Sequence, residues 1–352
     1  MKIPQLHFTR FLAAFSVVIF HFGLETWPFT IKEIHTIFTY GNLAVSFFFC
    51  LSGFILAVVY SGQPKPFPVK KYFVARFARI YPIYILTFLI TLVLISYYND
   101  RVPRMFSVFL QVFGLHAWVP GECLEINFPG WSISVEIFFY LVLPFLVLFF
   151  QRFGKLPMGI FAVLLWAVSA VIQFKLVNYS NTIVSPTFGD FLLRNPALHL
   201  NGFVLGFAAG AFFLSDMSKW RVPAVIPVLM YSLGTLLFFG SYFWNNDLGH
   251  YGTNGLFAPV FVLIILGLSM DKSPLSRLFS HPFFVMGGEM SYAVYLLQCP
   301  VILAFKLITG NHGNLSLGEF WLYMLILIVT SFLSFKFVEG PARKMIRRWA
   351  KE

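Results

Sequence analysis

Arg10 and His21 lie within one apolar stretch, Phe8 to Leu24, that is long enough to cross a bilayer. At about 100° per residue their spacing amounts to roughly three turns and 20°, so both side chains share a helix face, about 16 Å apart along the axis. A guanidinium and an imidazole therefore look into one cleft. Hydrocarbon offers ionisable groups no partner, so such a pair inside a span marks chemistry. The imidazole suits proton transfer, and the cation suits an anionic ligand.

Other polar residues extend this constellation. In the stretch Trp131 to Phe150, the i, i+4 spacing aligns Ser132, Glu136 and Tyr140 on one face. Glu136 then falls at roughly the depth of His21, where a carboxylate would fix the imidazole tautomer and stabilise the imidazolium. The expectation is that Glu136 orients His21. The stretch Phe283 to Phe305 brings Ser291, Tyr292, Tyr295 and Gln298 toward the same half, and Tyr40 to Tyr60 adds Ser46, Ser52 and Gly53. These are groups for holding a hydroxyl-rich acceptor.

Toward the opposite end, Arg10, Arg76 and Arg79 make a candidate guanidinium cluster, and the planar fork of arginine suits phosphate. A ligand reaching from that cluster to His21 must be long and thin. The pantetheine arm of an acyl-CoA has that shape, with phosphates at one end and a reactive thioester at the other. Glu289 and Glu339 read as structural, the latter as a partner of Arg343 or of the arginine cluster, and His199 reads as a satisfied interfacial histidine. No metal-ligand spacing is present and no tightly bound cofactor is expected, with acyl-CoA a co-substrate.

The elements that must position these residues are membrane helices. Of 352 residues, 59% are hydrophobic and only 11% charged, far from the roughly 25% charged of a soluble domain. The 46 Phe suit lipid contact and interfacial belts. Spanning runs fall at Phe8 to Leu24, Tyr40 to Tyr60, Ile80 to Tyr98, Trp131 to Phe150, Pro157 to Val177, Ala197 to Leu214, Val222 to Phe243, Asn254 to Met270, Phe283 to Phe305 and Glu319 to Val338. The fold class is thus an all-α polytopic bundle of about ten transmembrane helices. Met105 to Trp118 reads as re-entrant or interfacial rather than spanning.

Basic residues cluster in alternate loops, notably Lys65, Lys70, Lys71, Arg76 and Arg79, with Arg152, Lys155, Lys219, Arg221, Lys272 and Arg277 on the same side. The positive-inside rule then puts both termini in the cytoplasm. The net charge of +11 follows this topology rather than a nucleic-acid surface. The organisation expected is one membrane domain over residues 1–340 and a short basic cytoplasmic tail over 341–352. The first helix reads as uncleaved, because no small-x-small site follows it. Cys50, Cys123 and Cys299 form no disulfide framework and read as structural.

Six motifs in order, RFLAAFSVVIFH from Arg10, SFFFCLSGFIL from Ser46, RFARIYPIY from Arg76, WSISVEIFFYLVLP from Trp131, MSYAVYLLQCP from Met290 and FVEGPARK from Phe337, resemble the acyltransferase-3 family of membrane acyltransferases. The resemblance implies transfer of an acyl group, commonly acetyl, from acyl-CoA to a hydroxyl of a cell-surface or secreted carbohydrate, at the bacterial cytoplasmic (inner) membrane. Residue by residue, it gives His21 the catalytic role and Arg10 that of its paired arginine. It makes Arg76 and Arg79 the cytoplasmic basic motif and Glu136 the acidic position. The family often has histidine where this chain has Gln298, and glutamine cannot shuttle a proton near neutral pH.

The partners expected are therefore membrane lipids, an acyl-CoA donor and a carbohydrate acceptor. Two rival readings stand beside this one. A polar cleft through ten helices would also serve a transporter or flippase for a lipid-linked glycan, although no internal repeat is visible. An O-acyltransferase acting on a lipid or a small metabolite fits the same residues.

Overall fold

Long apolar segments with few charges can satisfy their backbone in hydrocarbon only as helices, and this dictates the architecture. The computed structural model describes residues 3–63, 66–98, 102–183, 186–220, 222–244 and 254–349. In chain order the helices are α1 (Gln5–Phe22), α2 (Lys32–Thr39), α3 (Leu43–Tyr60), α4 (Val69–Tyr98), α5 (Met105–Val112), α6 (Trp131–Phe153), α7 (Lys155–Ile183) and α8 (Pro186–Arg194). They continue with α9 (Leu200–Ser215), α10 (Val225–Trp244), α11 (Ala258–Met270), α12 (Pro274–Phe279), α13 (Pro282–Thr309), α14 (Leu317–Ser334) and α15 (Gly340–Trp349). A π-turn, Phe335–Glu339, joins the last two.

The protein is an all-α, multi-pass membrane bundle. Eight described helices are long and apolar enough to span a membrane, and the apolar stretches Val225–Ser241 and Ala258–Met270 are shorter. Together they occupy the positions of the ten spans read from the sequence. Met105 to Trp118 does not span: it forms α5 and a single 3₁₀ turn, His116–Trp118, folded against α6. Tyr81 and Tyr84 of α4 donate to the carbonyls of Val112 and Gln111, and Ser134 of α6 donates to that of Gly114.

The central helix is α3, which packs against α9 at backbone contact. A Cβ on Gly206 would lie 2.0 Å from the Cys50 carbonyl oxygen, and one on Gly53 would lie 2.0 Å from that of Phe203. Small residues let helices approach this closely where no aqueous hydrophobic drive exists. Gly53 is therefore a packing residue and not part of the expected acceptor site. On the other side α13 approaches α1 in the same way, through Gly287 against Phe11 and Gly288 against His7.

Phenylalanine supplies exposed surface, as at Phe145, Phe161 and Phe332, and also much of the core. Phe54, Phe88, Phe139, Phe203, Phe207, Phe213, Phe261 and Phe320 are among the largest fully buried side chains, and Phe139 stacks on Phe203 with centroids 4.4 Å apart. Rings fill gaps between helices whose backbones are held apart by their neighbours. Lipid-facing surface is supplied largely by α7 and α10, through exposed residues such as Leu164, Val168, Leu233 and Leu236.

The bundle has one basic end. Gln5 Nε2 at the start of α1 donates to the Asp271 carbonyl, 3.1 Å, and Gln151 Nε2 at the end of α6 donates to that of Gln63, 2.8 Å. Lys155 pairs with Asp216 at 2.5 Å, and α15, bearing Arg343, Lys344, Arg347 and Arg348, lies against α4. The tail is thus a helix as far as Trp349; Lys65, Arg221 and residues 350–352 lie outside the described residues.

Candidate functional site

Two prolines prepare the site. A helical proline leaves the carbonyl four residues back without its amide partner. Pro144 does this to Tyr140, whose carbonyl instead accepts from the buried Tyr72 hydroxyl at 3.0 Å. Pro300 does it to Leu296, whose carbonyl is met by Asn127 Nδ2 at 3.5 Å. Both loosened turns carry residues of the candidate site.

Between α1, α3, α4, α6 and α13 lies a cavity of about 130 Å³. Arg10, Arg76, Arg79, Ser132, Glu136, Tyr140, Tyr292 and Tyr295 all line it, as do Ser52 and Ser291. Ser46 does not. Among the described residues, no carboxylate lies within 4.0 Å of the Arg10, Arg76 or Arg79 guanidinium. Three half-buried cations without a direct counter-ion repel one another, and an anion arriving among them relieves that cost. Arg76 is held over the Tyr60 and Tyr140 rings, 5.7 and 5.9 Å from their centroids.

Glu136 faces this cluster. Its Oε2 accepts from the Tyr140 hydroxyl at 3.1 Å, and the electrostatic field at its carboxylate comes from Arg10, Arg79 and Arg76. The expected hydrogen bond from His21 to Glu136 is not formed. Glu136 lies instead on the cavity wall with Arg10, Arg76 and Arg79, and His21 is outside that cavity.

His21 lies beyond the cavity, and the partner of its ring is Gln298. Nδ1 and Gln298 Oε1 are 2.8 Å apart, while Gln298 Nε2 donates to the Tyr295 carbonyl at 2.7 Å. The amide orientation is thereby fixed with its oxygen toward His21, so Nδ1 is the donor and Nε2 keeps the basic lone pair. The Gln298 carbonyl accepts from the Tyr323 hydroxyl, 3.2 Å, and the Phe128 ring stands edge-on to the imidazole at 4.8 Å. Gln298, expected to contact substrate, is instead the residue that orients His21.

Arg10 and His21 thus share α1 but not one open cleft. Tyr295 lies on the cavity wall one turn before Gln298, and Ser132 lines the same cavity. The expected acceptor-binding hydroxyls already have backbone partners: Ser132 donates to Pro129, Ser291 to Gly288 and Tyr292 to Ile80. Each still has lone pairs to accept from a ligand. His199 is satisfied by the Leu193 carbonyl at 3.0 Å, and buried Glu339 pairs with Arg343 at 3.7 Å. The three cysteines are buried and free.

Comparison with known proteins gives this geometry a context. Residues 3–338 match the family described as "Acyltransferase domain", acyltransferase-3. Acyltransferase MdmB of Streptomyces mycarofaciens is 28% identical over 99% of this chain and 93% of its own length. Peptidoglycan O-acetyltransferase OatA of Listeria monocytogenes is 23% identical over 97% of this chain, which spans 56% of that relative. Exopolysaccharide production protein ExoZ of Rhizobium meliloti is 29% identical over 74% of this chain and 76% of its own. No solved structure matches the chain.

Proposed function

Since the chain belongs to the acyltransferase-3 family and is an acyltransferase of non-aminoacyl groups, we propose that it moves an acyl group, in the first instance acetyl, from acyl-CoA to a carbohydrate hydroxyl. The observation that carries this reading is the pairing of three cations without close counter-ions in one cavity with an imidazole fixed as a base beyond it. Phosphate binds the first, and the acceptor hydroxyl meets the second. The carbohydrate acceptor draws on the relatives named for peptidoglycan and exopolysaccharide.

Arg10, Arg76 and Arg79 hold the donor phosphates, and the pantetheine arm runs along α1 past Ser132 and Tyr295 toward His21. His21 Nε2 takes the proton of the acceptor hydroxyl as its oxygen attacks the thioester carbonyl. The C–S bond then breaks, and the imidazolium returns the proton to the leaving thiolate, giving the ester and free CoA. Gln298 keeps Nδ1–H in place throughout. Glu136 tempers the positive charge of the arginine cluster, so the cavity tolerates being empty between turnovers. The basic end of the bundle faces the cytoplasm of a bacterial inner membrane, which puts the phosphate site on the side that holds acyl-CoA.

The test supplies acetyl-labelled acetyl-CoA to inverted membrane vesicles containing the protein and follows label into glycan, lipid and water fractions. Label in glycan is the expected result. Label confined to lipid would replace the acceptor class, and no thioester consumption across several acyl lengths would refute the donor.

A further inference from the structure

A second cavity, of about 320 Å³, opens on the basic side of Arg10 between α1, α3 and α13. Arg10 and Ile55 line both cavities, so the guanidinium stands at the boundary between them. One continuous ligand can therefore lie in both with its anionic part at Arg10. The walls of the second cavity are mainly aliphatic, including Leu6, Val58 and Val285, and its polar groups are His7 and Glu289. The close approach of Gly288 to His7 brings α1 and α13 together here, and His7 Nδ1 is buried without a hydrogen-bond partner.

We propose that this cavity receives the nucleoside end of the donor, with the base between the aliphatic walls and its exocyclic amine donating to Glu289. The inference rests on the acyl-CoA reading and assigns residues that reading leaves unused. A carboxylate beside the pocket repels phosphate, so the diphosphate and the ribose 3′-phosphate belong on the Arg10 side and only the base reaches Glu289. A carboxylate and an open imidazole nitrogen are likewise a poor lining for a lipid tail, which can pair with neither. A purine offers flat apolar faces together with donors and acceptors at its edge, which is the mixture this cavity presents. His7 Nδ1 supplies one more edge contact. Val285 and Glu289 sit one turn apart on the same face of α13, so one change can fill the cavity and another can remove its acceptor.

The experiment titrates the purified full chain in detergent with coenzyme A and, separately, with 4′-phosphopantetheine, which lacks the nucleoside. The proteins compared are the wild type, Val285→Trp and Glu289→Leu, each first checked for an unchanged thermal transition. Coenzyme A affinity should fall about tenfold or more in Val285→Trp and by roughly three- to tenfold in Glu289→Leu, the latter matching a lost hydrogen bond to a charged group. Phosphopantetheine affinity should stay within about twofold in both, because its contacts lie beyond Arg10. Unchanged coenzyme A binding in the variants would overturn the proposal, as would equal weakening of both ligands. So would a co-purifying lipid that Val285→Trp expels without affecting coenzyme A. A wild type that binds neither ligand would instead remove the acyl-CoA reading, and this inference with it.

Discussion

The His21 imidazole is oriented by the Gln298 amide, Nδ1 to Oε1 at 2.8 Å, and that amide is itself anchored through Nε2 to the Tyr295 carbonyl. The partner is neutral. It selects a tautomer and an orientation without supplying the negative charge that a carboxylate would place beside a forming imidazolium. In the proposed reaction His21 is therefore protonated only briefly, passing the proton on to the departing thiolate.

Gln298→Leu should remove the acceptor for Nδ1–H, leave the tautomer unfixed and lower turnover by about 10²-fold, within the usual range for general base catalysis. Coenzyme A affinity should not change. Gln298→His keeps a ring nitrogen that can accept, and should retain most of the rate. Steady-state acyl transfer together with calorimetric titration checks both variants; an unaffected Gln298→Leu would mean that the contact is packing alone.

Glu136→Gln should keep the Tyr140 hydrogen bond through the amide oxygen while removing the negative charge that faces the arginines. Donor affinity should be at least as tight as in the wild type, with turnover within about tenfold. A loss of about 10²-fold or more at unchanged donor affinity would instead place the carboxylate in the proton transfer.

Arg76→Gln and Arg79→Gln should each weaken coenzyme A binding by about tenfold or more, since a hydrogen bond to a charged group is worth about 1.5–3 kcal/mol. Arg76→Lys should not restore it fully, because the planar fork and its stacking over Tyr60 and Tyr140 are lost. Equal affinities across the series, measured by titration, would remove the arginines from donor binding.

The stability of the α3–α9 pair should depend on Gly206. In Gly206→Ala the new Cβ meets the Cys50 carbonyl at 2.0 Å, a backbone atom that cannot swing away, and about 2 kcal/mol or more of stability should be lost. Gly240→Ala, with nothing within 4 Å of its Cβ, is the control and should leave the thermal transition in place.

His116, in the 3₁₀ turn outside the spans, is buried against the Gly130 and Leu110 backbone, and burial pushes its imidazole from the ordinary 6.5 down to about 4. The folded form thus resists a proton that the unfolded chain accepts. Its contribution is intact above 6.5 and is lost progressively as the pH falls toward 4. The unfolding temperature in detergent should drop through that window, and less steeply in His116→Gln.

The ten spans, the basic end and the cavity-lining arginines were legible because apolar run length, loop charge and helical spacing are local properties of the chain. The partner of His21 was not. Spacing on α6 puts Ser132, Glu136 and Tyr140 on one face, and all three line the cavity, but that this face meets the arginines rather than His21 depends on how α6 packs against α3 and α4. Gln298 became the orienting group because Pro300 loosens its turn and the Tyr295 carbonyl and Tyr323 hydroxyl hold it from either side. Those are contacts between distant parts of the chain. His7 carried no sequence signal beyond its place at the end of a span, and Glu289 was read as structural; only the approach of α13 to α1 reveals that they share a cavity.

The most direct measurement compares label transfer from acetyl-CoA in membranes carrying the wild type with those carrying His21→Ala at equal abundance, coenzyme A binding being measured on the same proteins. Transfer should fall by about 10²–10⁴-fold while coenzyme A binds as before. Transfer that persists at the wild-type rate with His21 absent would contradict its role as the base.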